Sequence, residues 1–164
     1  MNEIYVGEIV GTHGIKGEVR LISEFREKEL AFLKGKNVYI GKDRTQYTIR
    51  TYRPHKQYDM LTFDGVTDIN DVIDMRFSKV YMNREDIETD KMLEEDYVGM
   101  DVYIEDKKVG TVTELLLRAM QDVLVIKNED KKYMVPMDPH FIEKVEEKEK
   151  RLYLKNSEGF FHEN

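Results

Sequence analysis

Short runs in which apolar and polar side chains alternate, cut apart by glycines and polar turns, dominate this chain and leave little room for helix. Alternation with period two is what a half-buried strand requires, because successive side chains point to opposite faces of a sheet. GEVRLIS places Val19 and Leu21 on one face; NVYIG, QYTIRTY and MLTFDG do the same with Val38 and Ile40, Tyr47 and Ile49, and Leu61 and Phe63. Gly35, Gly41, Gly65 and the pair Pro54, His55 supply turns between them. Only one segment reads as a helix: behind Thr67 or Asp68 as N-cap, Ile69, Val72, Ile73 and Phe77 fall on one helical face. A strand, SKVYM, comes after it.

After residue 83 the grammar changes. NREDIETDKMLEEDY is rich in acids and lacks both strand alternation and a helical stripe, so residues 84–96 read as a linker between a unit at 1–83 and another at 97–164. Strand patterning then resumes: GMDVYIEDKKVGTVTELLL predicts a hairpin around EDKK, and DVLVIKNEDKKYMVPM a second around NEDK, ended by Pro136 and Pro139. HFIEKV is expected to form one helical turn with Phe141 and Val145 on one face, and RLYL a last strand before the tail NSEGFFHEN. Many short strands with little helix predict a mainly β fold of two small β-barrels, since closure removes exposed sheet edges. Within 164 residues each core is modest.

Charge divides along the same boundary. The net charge is −7, but residues 1–83 carry 13 Lys and Arg against 12 Asp and Glu, whereas residues 84–164 carry 13 against 21. Within 34–56, Lys34, Lys36, Lys42, Arg44, Arg50, Arg53 and Lys56 face only Asp43, and Tyr39, Tyr47 and Tyr52 lie among them. Cations neutralise phosphate and aromatic rings stack on unpaired bases, so this stretch suits RNA; an ordinary wet face over an inward Tyr47 is an equal account of it. The acidic second part would steer a basic protein toward itself.

Several classes of chemistry find no support. There is no cysteine, hence no disulfide framework or thiolate nucleophile. His13, His55, His140 and His162 show no metal-ligand spacing, and Asp138, His140 and Glu143 read as a solvated turn. Ser23, Ser78 and Ser157 lie in no nucleophile motif. In GTHGIKGEV, Gly11, Gly14 and Gly17 surround His13 and Lys16, but the loop leads into a strand, which fits neither the P-loop nor the dinucleotide fingerprint. A tight β-connection accounts for the glycines. No catalytic residue, cofactor or metal ion is expected. No stretch is apolar enough to span a bilayer, and the N-terminus carries Glu3 and Glu8 where a secretory signal needs basic then apolar residues. A cytoplasmic monomer without membrane contact is the simplest expectation.

Three stretches, VGEIVGTHGIKGEVRL, LTFDGVTDINDVIDMRFSKVYMNRED, and YVGMDVYIEDKKVGTVTELLLRAMQDVLVIK together with the MVPM beyond it, resemble the RimM family of ribosome maturation factors across nearly the whole chain. The resemblance implies an N-terminal barrel like those of translation factors, a C-terminal PRC-barrel, and no enzymatic activity. It also implies help in assembling the small-subunit head and processing its rRNA, and binding of a basic ribosomal protein of that head. Family members carry two adjacent tyrosines at the entrance to the second barrel; here EEDYVGM offers Tyr97, with Val98 in the second place. Ala119, Met120 and Gln121 stand where the family has Gly, Ala and Asn. Tyr97, Val98, Phe160 and Phe161 are therefore the expected ribosomal-protein contacts, although closing the bottom of the barrel is the plainer account of Phe160 and Phe161. His13, Lys16, Arg20, Arg50, Arg53 and Lys56 are the expected RNA contacts. The alternatives are an RNA-processing nuclease, for which neither a carboxylate cluster nor a His pair is apparent, and a PRC-barrel scaffold with no ribosomal role.

Overall fold

The computed structural model describes residues 2–162, and the chain divides into two compact units, Met1–Asp90 and Lys91–Asn164. The first is a closed six-stranded barrel. Its strands are β1 (Glu3–His13), β2 (Glu18–Ile22), β3 (Asn37–Ile40), β4 (Thr45–His55), β5 (Tyr58–Phe63) and β6 (Lys79–Asn83), in the order β1-β2-β5-β4-β3-β6. Every pairing is antiparallel, and β6 returns to β1 with Tyr5 opposite Tyr81. The inward residues include Val19, Leu21, Val38, Ile40, Ile49, Leu61 and Phe63, all buried, so the alternation in the sequence reports the barrel interior directly. Burying each such side chain is worth about 1.5–3 kcal/mol.

β1 pairs on both sides and has to bend to do so. Bulges interrupt its register between Tyr5 and Gly7 against β6 and between Ile9 and Gly11 against β2, the device by which strands turn a barrel corner. At the first, a Cβ on Gly7 would lie 2.7 Å from the Ile22 carbonyl oxygen and 2.9 Å from Leu21 Cγ, so the strands approach too closely for a side chain.

Two local expectations are corrected. The segment after Asp68 is two successive 3-10 turns, Ile69–Asp71 and Ile73–Met75, rather than an α-helix. Asp68 does cap it, accepting from the Asn70 N–H at 2.8 Å. The residues turned inward are Val72 and Met75, three apart as a three-residue turn requires, while Ile73 and Phe77 are exposed. A single α-helical turn, α1 (Lys28–Ala31), occurs instead in the β2–β3 connection. It is tied down by a buried polar group: Asp59 meets Lys28 Nζ at 2.8 Å and accepts from the Tyr52 hydroxyl at 2.7 Å. Burial and that carboxylate push the Tyr52 phenol far above the usual tyrosine range.

The second unit is a six-stranded sheet of β7 (Asp101–Ile104), β8 (Lys107–Leu116), β9 (Val123–Asn128), β10 (Lys131–Pro136), β11 (Ile142–Glu146) and β12 (Arg151–Leu154). Its order is β10-β9-β8-β7-β12-β11, with β7 and β12 parallel. HFIEKV contributes β11, not a helical turn, because Ile142 to Glu146 pair with β12. The sheet curls around Val102, Val112, Leu124, Ile126, Val135, Leu152 and Leu154, and its end strands are β10 and β11. Pro136 closes β10, an edge position where a missing N–H costs no ladder bond. The stretch expected as linker is partly packed: Ile87 and Leu93 are both buried.

Candidate functional site

The β1–β2 connection of the first barrel is built from the glycine loop. His13 and Glu18 face each other across the hairpin, and the residues between them turn through Gly14 and Gly17, whose φ values of 68° and 97° lie in the left-handed region that favours glycine. The Ile15 carbonyl accepts from the Ile69 N–H at 2.9 Å, which docks the loop on the 3-10 turn. Gly11 differs from its neighbours: its φ is not positive and a Cβ would meet nothing within 4 Å. The fold therefore places no local demand for glycine there.

Between this loop and the outer face of β4 and β5 runs an open groove of about 510 Å³. His13, Ile15 and Lys16 of the loop form one wall; Glu18, Arg50, Thr51 and Thr62 complete the lining. Ile15 is 74% exposed at its rim. Arg50 is steadied by donating from Nη2 to the Val66 carbonyl at 3.3 Å, and the Thr51 and Thr62 hydroxyls are hydrogen-bonded to each other.

Next to the groove the barrel gathers a polar cluster from strands far apart in sequence. Arg53 donates from Nε and Nη2 to the two oxygens of Glu18 at 2.9 and 2.7 Å. That double contact holds the Glu18 carboxyl below its usual value, with burial opposing and the charges of Arg53, His13 and His55 assisting. Arg20 Nη2 lies 3.3 Å from His13 Nδ1; arginine has only donors, so the contact is a hydrogen bond when the ring is neutral with its proton on Nε2. The Arg20 guanidinium also lies over the Tyr58 ring, 5.6 Å from its centroid, and its Nε is buried without a partner. His13 and His55 stand with ring centroids 5.6 Å apart, a juxtaposition that sequence spacing did not suggest. Lys56 occupies the adjacent β4–β5 turn with φ 56°.

The surplus of positive charge in 34–56 is smaller in space than in sequence. Besides the Arg53–Glu18 pair, Arg44 bonds both oxygens of Glu3 at 2.9 Å and lies 3.7 Å from the Tyr81 ring centroid, and Lys36 meets Glu88 at 3.5 Å. Tyr47 and Tyr52 serve the barrel: Tyr47 packs on Phe63 and Tyr52 on Phe32, each at 5.2 Å between centroids. The groove and the cluster beside it thus bring His13, Lys16, Arg20, Arg50 and Arg53 into one neighbourhood. Glu18, His55, Tyr58, Thr51 and Thr62 are members that sequence reasoning missed. For Glu18 a signal existed, since alternation in EVR sets Glu18 and Arg20 on the same outward face.

In the second unit, Tyr97 ends a 3-10 turn, Glu94–Tyr97, and is half-buried against the core. Burial, then the charges of Glu147, Asp96 and Glu94, raise its phenol above the usual range. Val98 beside it is exposed. Phe160 and Phe161 lie in a 3-10 turn, Glu158–Phe161, and pack on the same core. Phe161 meets Tyr133 of β10 at 4.9 Å between ring centroids, and Phe160 meets Phe141, which leads into β11, at 5.2 Å. The pair therefore bridges the two open edges of the sheet. Asp138 accepts from the His140 N–H at 2.8 Å in a local turn. Among the described residues no three of His, Cys, Asp and Glu form a group able to hold a metal ion, and no helix is long and apolar enough to cross a membrane.

The two units match two family models in order, the RimM N-terminal domain over residues 4–87 and the RimM PRC barrel domain over residues 94–160. The chain is 32% identical over 163 residues to the ribosome maturation factor RimM of Staphylococcus aureus strain MRSA252, covering 95% of this chain and 97% of that protein. With its namesake from Staphylococcus saprophyticus the identity is 32% over 165 residues, covering 96% and 98%. The solution structure of the N-terminal domain of RimM from Thermus thermophilus aligns at a TM-score of 0.47 with 19% identity, covering 56% of this chain and 100% of that one. A closed barrel and a PRC-type sheet, each matched by its own family model and together spanning the length of these relatives, place the chain in the RimM family of ribosome maturation factors.

Proposed function

We propose that the protein is a non-enzymatic assembly factor for the small ribosomal subunit, acting in the cytoplasm by binding and release. The first barrel meets the precursor rRNA through Lys16, Arg50 and Lys56, with His13 and Arg20 fixing the loop and Arg53 held by Glu18. The second unit holds a basic ribosomal protein of the small-subunit head through Tyr97 and Val98. Its carboxylates speed the encounter by long-range attraction. Phe160 and Phe161, packed on the same core as Tyr97, close the sheet edges.

The observation that carries this reading is the groove beside the glycine loop, where Lys16 and Arg50 stand against hydroxyl and imidazole groups on a rigid barrel. Phosphate contacts of this kind position an RNA. A pull-down from cell extract with the full chain tests it. Recovery of small-subunit proteins and precursor 16S rRNA supports the reading; recovery of neither overturns it.

A further inference from the structure

The second unit is acidic in sum, yet its acids are not spread evenly over it. The outer side of the sheet carries two rows of side chains that run across the strands. In one, Lys144 of β11, Tyr153 of β12, Tyr103 of β7 and Lys108 of β8 stand opposite one another in register. In the next, Glu146, Arg151, Asp101 and Thr111 do the same, and Lys127 and Lys132 continue that row through β9 and β10. Both rows lie on the side away from the core, since Val102, Leu152 and Ile126, next to them along the strands, are buried. Five cations thus meet two carboxylates, in a part of the chain, residues 84–164, where Asp and Glu outnumber Lys and Arg by 21 to 13.

How these cations are held sets the face apart from the first barrel. There Arg53, Arg44 and Lys36 are matched by Glu18, Glu3 and Glu88. Here Lys144 Nζ lies 4.5 Å from the Tyr153 ring centroid and the Arg151 guanidinium 5.4 Å from that of Tyr103. The two rings are themselves stacked, with centroids 5.4 Å apart. A ring face orients a cation without cancelling its charge. Asp101 is taken by Lys108 at 3.0 Å, which leaves Glu146, opposite Arg151, as the other acid of the two rows. Lys144 and Arg151 are exposed, and both tyrosines are half-buried.

We propose that this face is a second RNA contact, in which Lys144 and Arg151, propped on Tyr153 and Tyr103, meet phosphates of a single-stranded segment of the precursor rRNA. Neighbouring strands lie about 4.8 Å apart, so the row from Lys144 to Lys108 spans roughly 14 Å. Over that length a single strand presents several phosphates. Sheet faces that combine cations with aromatic rings are a common seat for single-stranded RNA. The basic ribosomal protein assigned to Tyr97 and Val98 would be repelled here, so the two partners do not compete for this face. The identity of the anion rests on the reading of the protein as a factor that binds rRNA.

The test is fluorescence anisotropy of the full chain with a labelled twelve-residue oligouridylate across a salt series. Lys144→Ala and Arg151→Ala combined should weaken binding and reduce the slope of log affinity against log salt by about 1.4, the value for two phosphate contacts on a single strand. Lys144→Arg, which keeps the charge, should leave the slope as it is in wild type. A slope unmoved by the double substitution overturns the inference. Should the double variant not fold, Lys144→Gln at its exposed position decides alone, with an expected reduction of about 0.7. A twelve-residue oligoglutamate is the control anion: if the substitutions weaken its binding and leave that of the oligouridylate unmoved, the face takes an acidic polypeptide and the inference falls. If the double substitution has no effect but Lys16→Ala still lowers the slope, the second contact falls and the RNA-binding reading of the first barrel stands. If neither the oligouridylate nor precursor rRNA binds at low salt, both fall.

Discussion

Arg53 and Glu18, 35 residues apart in the sequence, are joined by two hydrogen bonds of 2.9 and 2.7 Å across the outer face of the first barrel. The charge of Arg53 is thereby matched by the Glu18 carboxylate. The same pair makes the barrel sensitive to acid. Glu18 has its carboxyl held below the ordinary value of 4.5 in the folded state, so the stability it contributes is present above that value and lost as pH falls through the lower folded one. Arg53→Ala should lower stability at pH 7, and the gap from wild type should shrink at pH values well below 4.5. Urea unfolding at the two ends of that range checks this; an unchanged gap contradicts it.

Gly7 and Gly11 separate structural from surface demands on glycine. Gly7→Ala drives a Cβ to 2.7 Å from the Ile22 carbonyl and should cost about 1–3 kcal/mol, as other overpacked sites do. Gly11→Ala meets nothing within 4 Å and should leave the thermal midpoint unchanged. Equal losses in the two variants would mean that the close approach of β1 to β2 is not what Gly7 serves.

Tyr97 carries both packing and a hydroxyl. Tyr97→Phe should keep the half-buried ring in place, whereas Tyr97→Ala should weaken calorimetric binding of the small-subunit head protein, by about tenfold or more if Tyr97 is an anchor of the interface. Unchanged affinity in Tyr97→Ala would remove it from that surface.

Phe161 is predicted to act on stability first. Phe161→Ala removes the ring packed on Tyr133 at the β10 edge and should cost about 1–3 kcal/mol, less than the roughly 3–5 of a fully buried phenylalanine. Amide exchange in β10 should accelerate selectively. Protection equal to wild type there would show that the bridge between the sheet edges contributes nothing.

How far the sequence could be read depended on the range of the interaction. β2 and β3 were legible because inward Val19, Leu21, Val38 and Ile40 alternate with less buried residues, and β5 because Leu61 and Phe63 keep that spacing, although Asp59 and Met60 before them are buried as well. β1 lacked that signal, since its two bulges shift the alternation at Gly7 and Gly11. The segment after Asp68 has helical spacing, but its packing selects Val72 and Met75, and the chain tightens to 3-10 turns to deliver them. β11 is set by pairing with β12 rather than by local preference. Of the site, the glycine loop and its cations were readable. The Glu18–Arg53 and His13–His55 contacts arise only when β1, β2, β4 and β5 lie side by side, and a charge count along the chain cannot see that Arg44 and Lys36 find acids elsewhere.

In the proposed mechanism the first barrel holds rRNA through phosphate contacts made by unburied cations. Affinity of the full chain for precursor 16S rRNA, measured across a salt series, tests this most directly. Phosphate contacts predict a steep linear fall of log affinity with log salt, with Lys16→Ala and Lys56→Ala each reducing the slope by about one. A flat response, or slopes unmoved by both substitutions, would contradict it.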